Sequence, residues 1–313
     1  MKVGLVGVGG WGKNLLRTLA EWDVLGGIAE IDPAKRKILE EAYPHIPIHA
    51  NYPALFTPDI SAIAIATPAG THFSLARLAL LAGKDLFVEK PLTLSVEESE
   101  TLVTLAKEKD RILMVGHMLL YSPAIQWIKF FLEDGKLGKL FSLHHERLSL
   151  GNANRTENVL WDLGVHDVAV LLYLVDSPLL HIKVEGHGAL RAQIEEDIYL
   201  HLRFKNKVRA HLHTSWLWPE KSRKLTIVGE KGMLTYNEIA QTVTHYRRHI
   251  NAELVHQDEG SEIVFSQTGE PLRFELDYFL RRLIDRGRPR SDGKSAVEVV
   301  RLLTQAMNTK EMA

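Results

Sequence analysis

The chain has 313 residues, is 45% hydrophobic and 25% charged, and carries a formal net charge of -1. That suffices for two ordinary cored domains; it excludes a disordered protein and gives no electrostatic reason to expect nucleic acid or an anionic membrane as partner. The absence of cysteine excludes disulfides, thiolate nucleophiles and Cys-based zinc sites. Met1-Lys2-Val3-Gly4-Leu5 enters an apolar strand with no signal-peptide layout, and no segment is apolar for the roughly 20 residues of a membrane helix, so a cytoplasmic protein is expected.

The first part alternates short apolar runs with amphipathic ones. Strands are expected at Lys2–Val6, Leu25–Ala29, Ile60–Ala66, Asp85–Glu89 and Ile112–Gly116, and helices at Lys13–Trp22, Pro33–Ala42, His72–Ala82 and Val96–Lys107. Solid apolar strands alternating with helices predict a Rossmann-type doubly wound parallel sheet. After about Tyr121 the pattern changes. A helix at Ser122–Leu132 precedes strands of period two at Leu140–Leu150, His181–Arg191, Ile198–Phe204, Val208–Trp216, Lys224–Val228 and Thr242–Tyr246, with Val168–Val175 read as a helix between the first two. Helices at Pro271–Asp285 and Ser295–Met307 close the chain. The expectation is α/β, with a dinucleotide-binding domain over residues 1–118 and an α+β substrate and oligomerisation domain over 119–313, built on a large open antiparallel sheet.

Gly7-Val8-Gly9-Gly10-Trp11-Gly12 follows the first strand and opens the first helix. In that context the glycines admit a pyrophosphate against the backbone and the helix N-terminus supplies amides. Glu30 ends the second strand, 23 residues after Gly7. A carboxylate there accepts from a ribose diol and repels a 2′-phosphate, which favours NAD over NADP. Ligands of such sheets lie beyond the carboxyl ends of the strands, where Thr67-Pro68-Ala69-Gly70-Thr71-His72, Glu89-Lys90-Pro91 and His117 fall. Lys90-Pro91 is a candidate cis bond.

The order of these features resembles the Gfo/Idh/MocA family of NAD(P)-dependent sugar and polyol dehydrogenases. The matching stretches are the glycine turn, Thr67-Pro68 with His72, Glu89-Lys90-Pro91, Tyr121-Ser122-Pro123, Asp162 with His166, and Gly287-Arg288-Pro289. The resemblance implies that Lys90 and His166 line the substrate pocket beside the nicotinamide. Cofactor contacts are expected from Gly7, Gly9, Gly10, Trp11, Gly12, Glu30, Thr67, Pro68, His72, Glu89, Lys90 and His117.

Asp162 and His166 are spaced i, i+4, on one face of a helix. Alcohol oxidation removes a hydroxyl proton as hydride leaves carbon, and a near-neutral histidine suits the first task. Asp162 would orient the ring, and Lys90 would polarise the oxygen; whether Lys90 or His166 takes the proton stays open. The plain readings are a helix-dipole aspartate and a buried histidine. No further ligand joins the pair at metal spacing, so no metal is expected, and His211-Leu212-His213 reads as part of a polar sheet face.

Around this pair the chain is similar to one subgroup, which oxidises the 3-hydroxyl of UDP-N-acetylglucosamine or its uronic acid towards a 3-amino sugar for cell-envelope glycans such as lipid A. Arg147 and Arg155 would meet a diphosphate or carboxylate, Asn158 an amide or hydroxyl, and Tyr121 the sugar. Met118 stands where many sugar dehydrogenases of the family have Asn or Gln, which weighs against a free hexose or inositol. The alternatives are the uronic acid, a free sugar or inositol, a glycosidase with retained NAD, and a non-catalytic cofactor sensor. A pathway aminotransferase is the expected partner. An apolar outer face on the second sheet, with His201, Phe204, Trp216 and Trp218 in or beside its strands, would make a homodimer or homotetramer surface.

Overall fold

The apolar run Lys2–Val6 forms the first strand, β1, and the glycine turn carries the chain into helix α1 (Gly12–Glu21). A computed structural model describes residues 1–151, 157–191 and 194–309, and the backbone of 311–312. Two compact units make up the fold.

The first unit continues through β2 (Leu25–Ala29), α2 (Pro33–Ala42), β3 (Ile48–His49), β4 (Ile60–Ile65), α3 (His72–Leu81), β5 (Asp85–Glu89), α4 (Val96–Glu108) and β6 (Leu113–Gly116). All neighbouring strands are parallel, in the order β3-β2-β1-β4-β5-β6. That order puts the topological switch point beside β1, at the glycine turn. The strands are apolar throughout because helices cover both faces: Leu5, Ile28, Ile63, Phe87 and Val115 are fully buried. Asp32 stops β2 and caps α2, accepting from Ala34 N at 2.9 Å and Lys35 N at 3.3 Å, with Pro33 in the first turn. The Lys90–Pro91 bond is cis.

The second unit begins at Leu119. It contains α5 (Pro123–Glu133), β7 (Leu140–Leu150), α6 (Val165–Val175), β8 (Leu179–His187), β9 (Asp197–Phe204), β10 (Arg209–Ser215), β11 (Leu217–Gly229), β12 (Gly232–Asn237), β13 (Thr242–Ile250) and β14 (His256–Ser266). The chain ends with α7 (Pro271–Asp285), α8 (Gly293–Asn308) and a short β15 (Glu311–Met312). The nine-stranded sheet runs β14-β13-β12-β11-β7-β10-β9-β8-β15. It is mostly antiparallel, but β7 and β10 pair in parallel, with His144 opposite His211. Period-two alternation sorts its faces: Ile198, Leu200, Leu202 and Phe204 of β9 point inward, and Tyr199, His201 and Arg203 outward.

Two expectations change here. Residues 119–313 do not stay together, because Leu272–Arg301 clusters with residues 1–118. The reason is local packing: Phe279 of α7 sits 5.6 Å from Phe87, Arg286 holds Asp85 in a two-point ion pair, and Ser291 exchanges hydrogen bonds with Val115. Of the residues expected to make the outward sheet face apolar, Phe204 and Trp216 are buried instead and Trp218 is 42% exposed, while His144, His211, Lys183 and Glu185 lie on the outward side.

Candidate active site

In the first unit the glycine turn has the shape a dinucleotide requires. Gly7 has φ 86°, and a Cβ there would lie 2.7 Å from the Thr67 methyl; a Cβ on Gly12 would lie 2.3 Å from the Gly7 carbonyl oxygen. These two close the turn onto strand and helix, where no side chain fits. A Cβ on Gly9 or Gly10 would meet nothing within 4 Å. The backbone there faces open space, at a helix N-terminus, which suits a bound pyrophosphate. Glu30 is buried beside the turn. Its carboxylate accepts from Val8 N at 2.8 Å and from Asp32 N at 3.0 Å, which leaves lone pairs for a ribose diol.

A second link joins this turn to the lysine loop. The Trp11 indole donates to Glu89 Oε1 at 2.6 Å. Glu89 is buried, and burial pushes its carboxyl up to about 7 against the pull of Trp11 and Lys90. Gly116 leaves room for it, since a Cβ there would fall 2.9 Å from Glu89 Oε2. Glu275 on α7 is also buried, and neither of its oxygens has a hydrogen-bond partner among the described residues. Burial, then the Glu89 charge, holds it well above the usual carboxylate range. Trp11 and Glu89 were visible as motif members, but their bond and Glu275 were not.

His117 is buried with both ring nitrogens unpartnered among the described residues, and burial followed by the Lys90 charge pushes it down to about 3. It is a neutral ring with hydrogen-bonding capacity to offer. His72 differs. Its Nδ1 lies 2.9 Å from the Pro91 carbonyl and its Nε2 2.8 Å from that of Thr67, and the ring is buried. Both neighbours are acceptors, so a neutral ring can donate to only one of them. His72, expected among the cofactor contacts, fastens the Thr67 and Pro91 loops together. Thr67 is half-buried and Pro68 exposed just past the end of β4, and Thr67 Oγ1 lies 2.7 Å from Thr71 Oγ1.

In the second unit the Asp162–His166 pair begins in a π-helical turn, Leu160–Gly164, that feeds α6. Such turns are rare and concentrate at functional sites. Asp162 and His166 are both half-buried, and Trp216 Nε1 donates to Asp162 Oδ2 at 3.2 Å. Asn158, expected to read a substrate amide or hydroxyl, has internal partners. Its Oδ1 accepts from Trp161 N at 3.2 Å and its Nδ2 donates to Glu195 at 2.9 Å, so it caps the π turn. Tyr121 is buried at 4% exposure.

Arg147 is likewise spent inside the protein. It is 1% exposed, its Nε donates to Asp167 at 2.6 Å and its Nη2 to Glu238 at 2.6 Å, with Arg223 also 3.4 Å from Glu238. Two carboxylates neutralise the guanidinium expected to meet a diphosphate. Its task is to tie α6 to β7 through Asp167, the neighbour of His166. His145, 3.2 Å from Asp167, is pushed by burial down to about 3 and adds no charge. Arg155 lies outside the described residues. Among the described residues, no group of three or more His, Asp or Glu could hold a metal, and no helix is long and apolar enough to cross a membrane.

Comparison with known proteins agrees with this architecture. Residues 1–117 match the model for the "Oxidoreductase family, NAD-binding Rossmann fold", and residues 125–235 that for the "GFO/IDH/MocA C-terminal domain". A UDP-N-acetylglucosamine 3-dehydrogenase of Acidithiobacillus ferrooxidans is 27% identical over 249 residues, which are 79% of this chain and 77% of that protein. A solved structure of the enzyme of that name from the same organism has a TM-score of 0.88 at 25% identity, covering 99% of this chain and 97% of that one. A scyllo-inositol 2-dehydrogenase (NAD(+)) of Bacillus subtilis is 32% identical over 146 residues, 44% of this chain and 42% of that protein.

Proposed function

Because this chain belongs to the Gfo/Idh/MocA family of oxidoreductases and is an NAD-dependent sugar dehydrogenase, we propose that its substrate is a UDP-N-acetylhexosamine, UDP-N-acetylglucosamine first, oxidised at the 3-hydroxyl. The observation that carries the finer reading is similarity to a UDP-N-acetylglucosamine 3-dehydrogenase in sequence over 79% of the chain and in fold over 99%. A cyclitol substrate is the second reading, and inositol-type relatives support it: the scyllo-inositol enzyme at 32% identity over 44% of the chain, and inositol 2-dehydrogenases at 24–26% identity over 59–64% of it.

NAD, when bound, accepts the hydride. The glycine turn and Glu30 would hold its pyrophosphate and ribose, and His117 would offer a neutral ring as a hydrogen-bond partner. The remaining chemistry belongs to three side chains. His166 takes the hydroxyl proton and Asp162 stabilises the imidazolium that forms, while Lys90 donates to the oxygen as it becomes a carbonyl. The exchange of roles between Lys90 and His166 is the variant of this scheme. One C–H bond breaks with its electron pair leaving as hydride, the O–H proton goes to the base, and the C=O bond forms.

The keto sugar would pass to an aminotransferase for cell-envelope glycan synthesis in the cytoplasm, with the protein acting as a homodimer or homotetramer through the large sheet. NADH formation tests the substrate: the purified protein with NAD+ should respond to UDP-N-acetylglucosamine and stay silent with free N-acetylglucosamine and myo-inositol. A response to myo-inositol alone would replace this reading with the cyclitol one. Light scattering reads the subunit number.

A further inference from the structure

Three histidines fall on one line across the centre of the large sheet. His144 on β7 lies opposite His211 on β10, and His211 lies opposite His201 on β9. All three project from the outward face, since Leu143, Leu212 and Leu200 alternate with them into the core. His201 Nδ1 lies 2.7 Å from His211 Nδ1. The His144 ring stacks on His211 with centroids 4.9 Å apart, and its Nε2 is 3.0 Å from Ser142 Oγ.

Two imidazole nitrogens at that distance share one proton, with one ring donating and the other accepting. Two such nitrogens bound at right angles to one metal ion, each at ~2.1 Å, lie about 3 Å apart. The observed pair is within a few tenths of an ångström of that spacing. The rings sit on directly opposed residues of paired strands, which hold their Cβ atoms about 5 Å apart and fix the approach in advance. Rotating the donor's proton from Nδ1 to Nε2 frees both lone pairs without releasing a proton from the neutral pair.

We propose that His201 and His211 chelate one divalent ion of the nickel, copper or zinc class. Imidazole selects these ions over Mg²⁺ and Ca²⁺, which take oxygen. Because no third His, Asp or Glu completes a cage among the described residues, the site is an open two-nitrogen chelate whose other positions take water. Lys183 lies opposite His201 on the next strand, though paired with Glu185 at 2.8 Å, and Arg209 lies two residues before His211. These cations oppose a dication and keep the affinity modest.

The probe is Ni²⁺, titrated calorimetrically into tag-free full-length protein stripped with chelator. Saturable binding of one ion per chain is expected, with the melting temperature rising as the site fills. His201→Ala and His211→Ala each break the facing Nδ1 pair, so affinity falls roughly 100-fold and the shift in melting temperature disappears. His213→Ala removes a ring held by Asp197 at 3.1 Å and leaves binding unchanged. The two alanine variants are read separately, so one folded variant suffices. Absence of saturable binding to the wild type, or equal affinity in a folded His201→Ala or His211→Ala variant, overturns the proposal.

Discussion

Replacing Arg147 with methionine removes the guanidinium and keeps most of the stem's volume. It leaves Asp167 fully buried with His145, a neutral ring, as its remaining polar neighbour among the described contacts. Glu238 keeps Arg223 at 3.4 Å. Breaking a buried pair by removing one partner costs about 3–5 kcal/mol, because a charge is stranded away from water. Asp167 can lessen this by binding a proton. Burial already pushes its carboxyl up to about 7, and losing Arg147 removes the largest opposing pull. A carboxyl raised in the folded state binds protons there that the unfolded chain does not, so stability falls as pH rises from the ordinary carboxylate value towards the folded value. In the variant the folded value climbs further, and the fall extends to higher pH. The cost of Arg147→Met is therefore smaller near about pH 6 than near about pH 8.5. Urea unfolding at the two pH values, followed by tryptophan fluorescence, measures it. A loss below about 1 kcal/mol at both values would refute the stranded-charge reasoning, as would a loss that grows on acidification. The double variant Arg147→Met/Asp167→Leu should recover part of the loss.

Three further outcomes follow from the first unit and its loops. Lys90→Met should lower kcat by roughly 10²–10⁴-fold while NADH binding, read by fluorescence quenching, is kept. Gly7→Ala places a Cβ 2.7 Å from the Thr67 methyl at φ 86°, so NADH binding should be lost or strongly weakened in a protein whose circular dichroism is unchanged. Trp11→Phe removes the donor that favours the charged form of Glu89, so any limb of the kcat/KM pH profile that follows Glu89 should move upward from about 7; a downward shift contradicts the role given to the indole.

The parallel sheet was legible because both covered faces leave solid apolar strands, and the glycine turn because it follows the first of them. The β7–β10 parallel pair was not legible, since distant strands meet through packing that no local period records. β12 and β14 were missed for different reasons. Gly232–Asn237 stands directly after a turn, and His256–Ser266 is an exposed strand rich in polar residues. Arg147 is instructive because its signal was present: Leu143, His145 and Arg147 share one parity along β7, and the leucine marks the inward side. Asn158, three residues ahead of Trp161, carried the spacing of a cap. The return of Leu272–Arg301 to the first unit rests on Phe279, Arg286 and Ser291, whose partners lie about 175–200 residues away in the chain.

The central claim is that hydride leaves the third carbon of a UDP-N-acetylhexosamine. UDP-N-acetylglucosamine deuterated at that carbon, incubated with the protein, NAD+ and a glutamate-dependent aminotransferase to draw off the keto sugar, should give NADH carrying one deuterium. It should also show a slower single-turnover rate than the unlabelled sugar. Unlabelled NADH from that substrate, or NADH formed only from a free sugar or cyclitol, would contradict it.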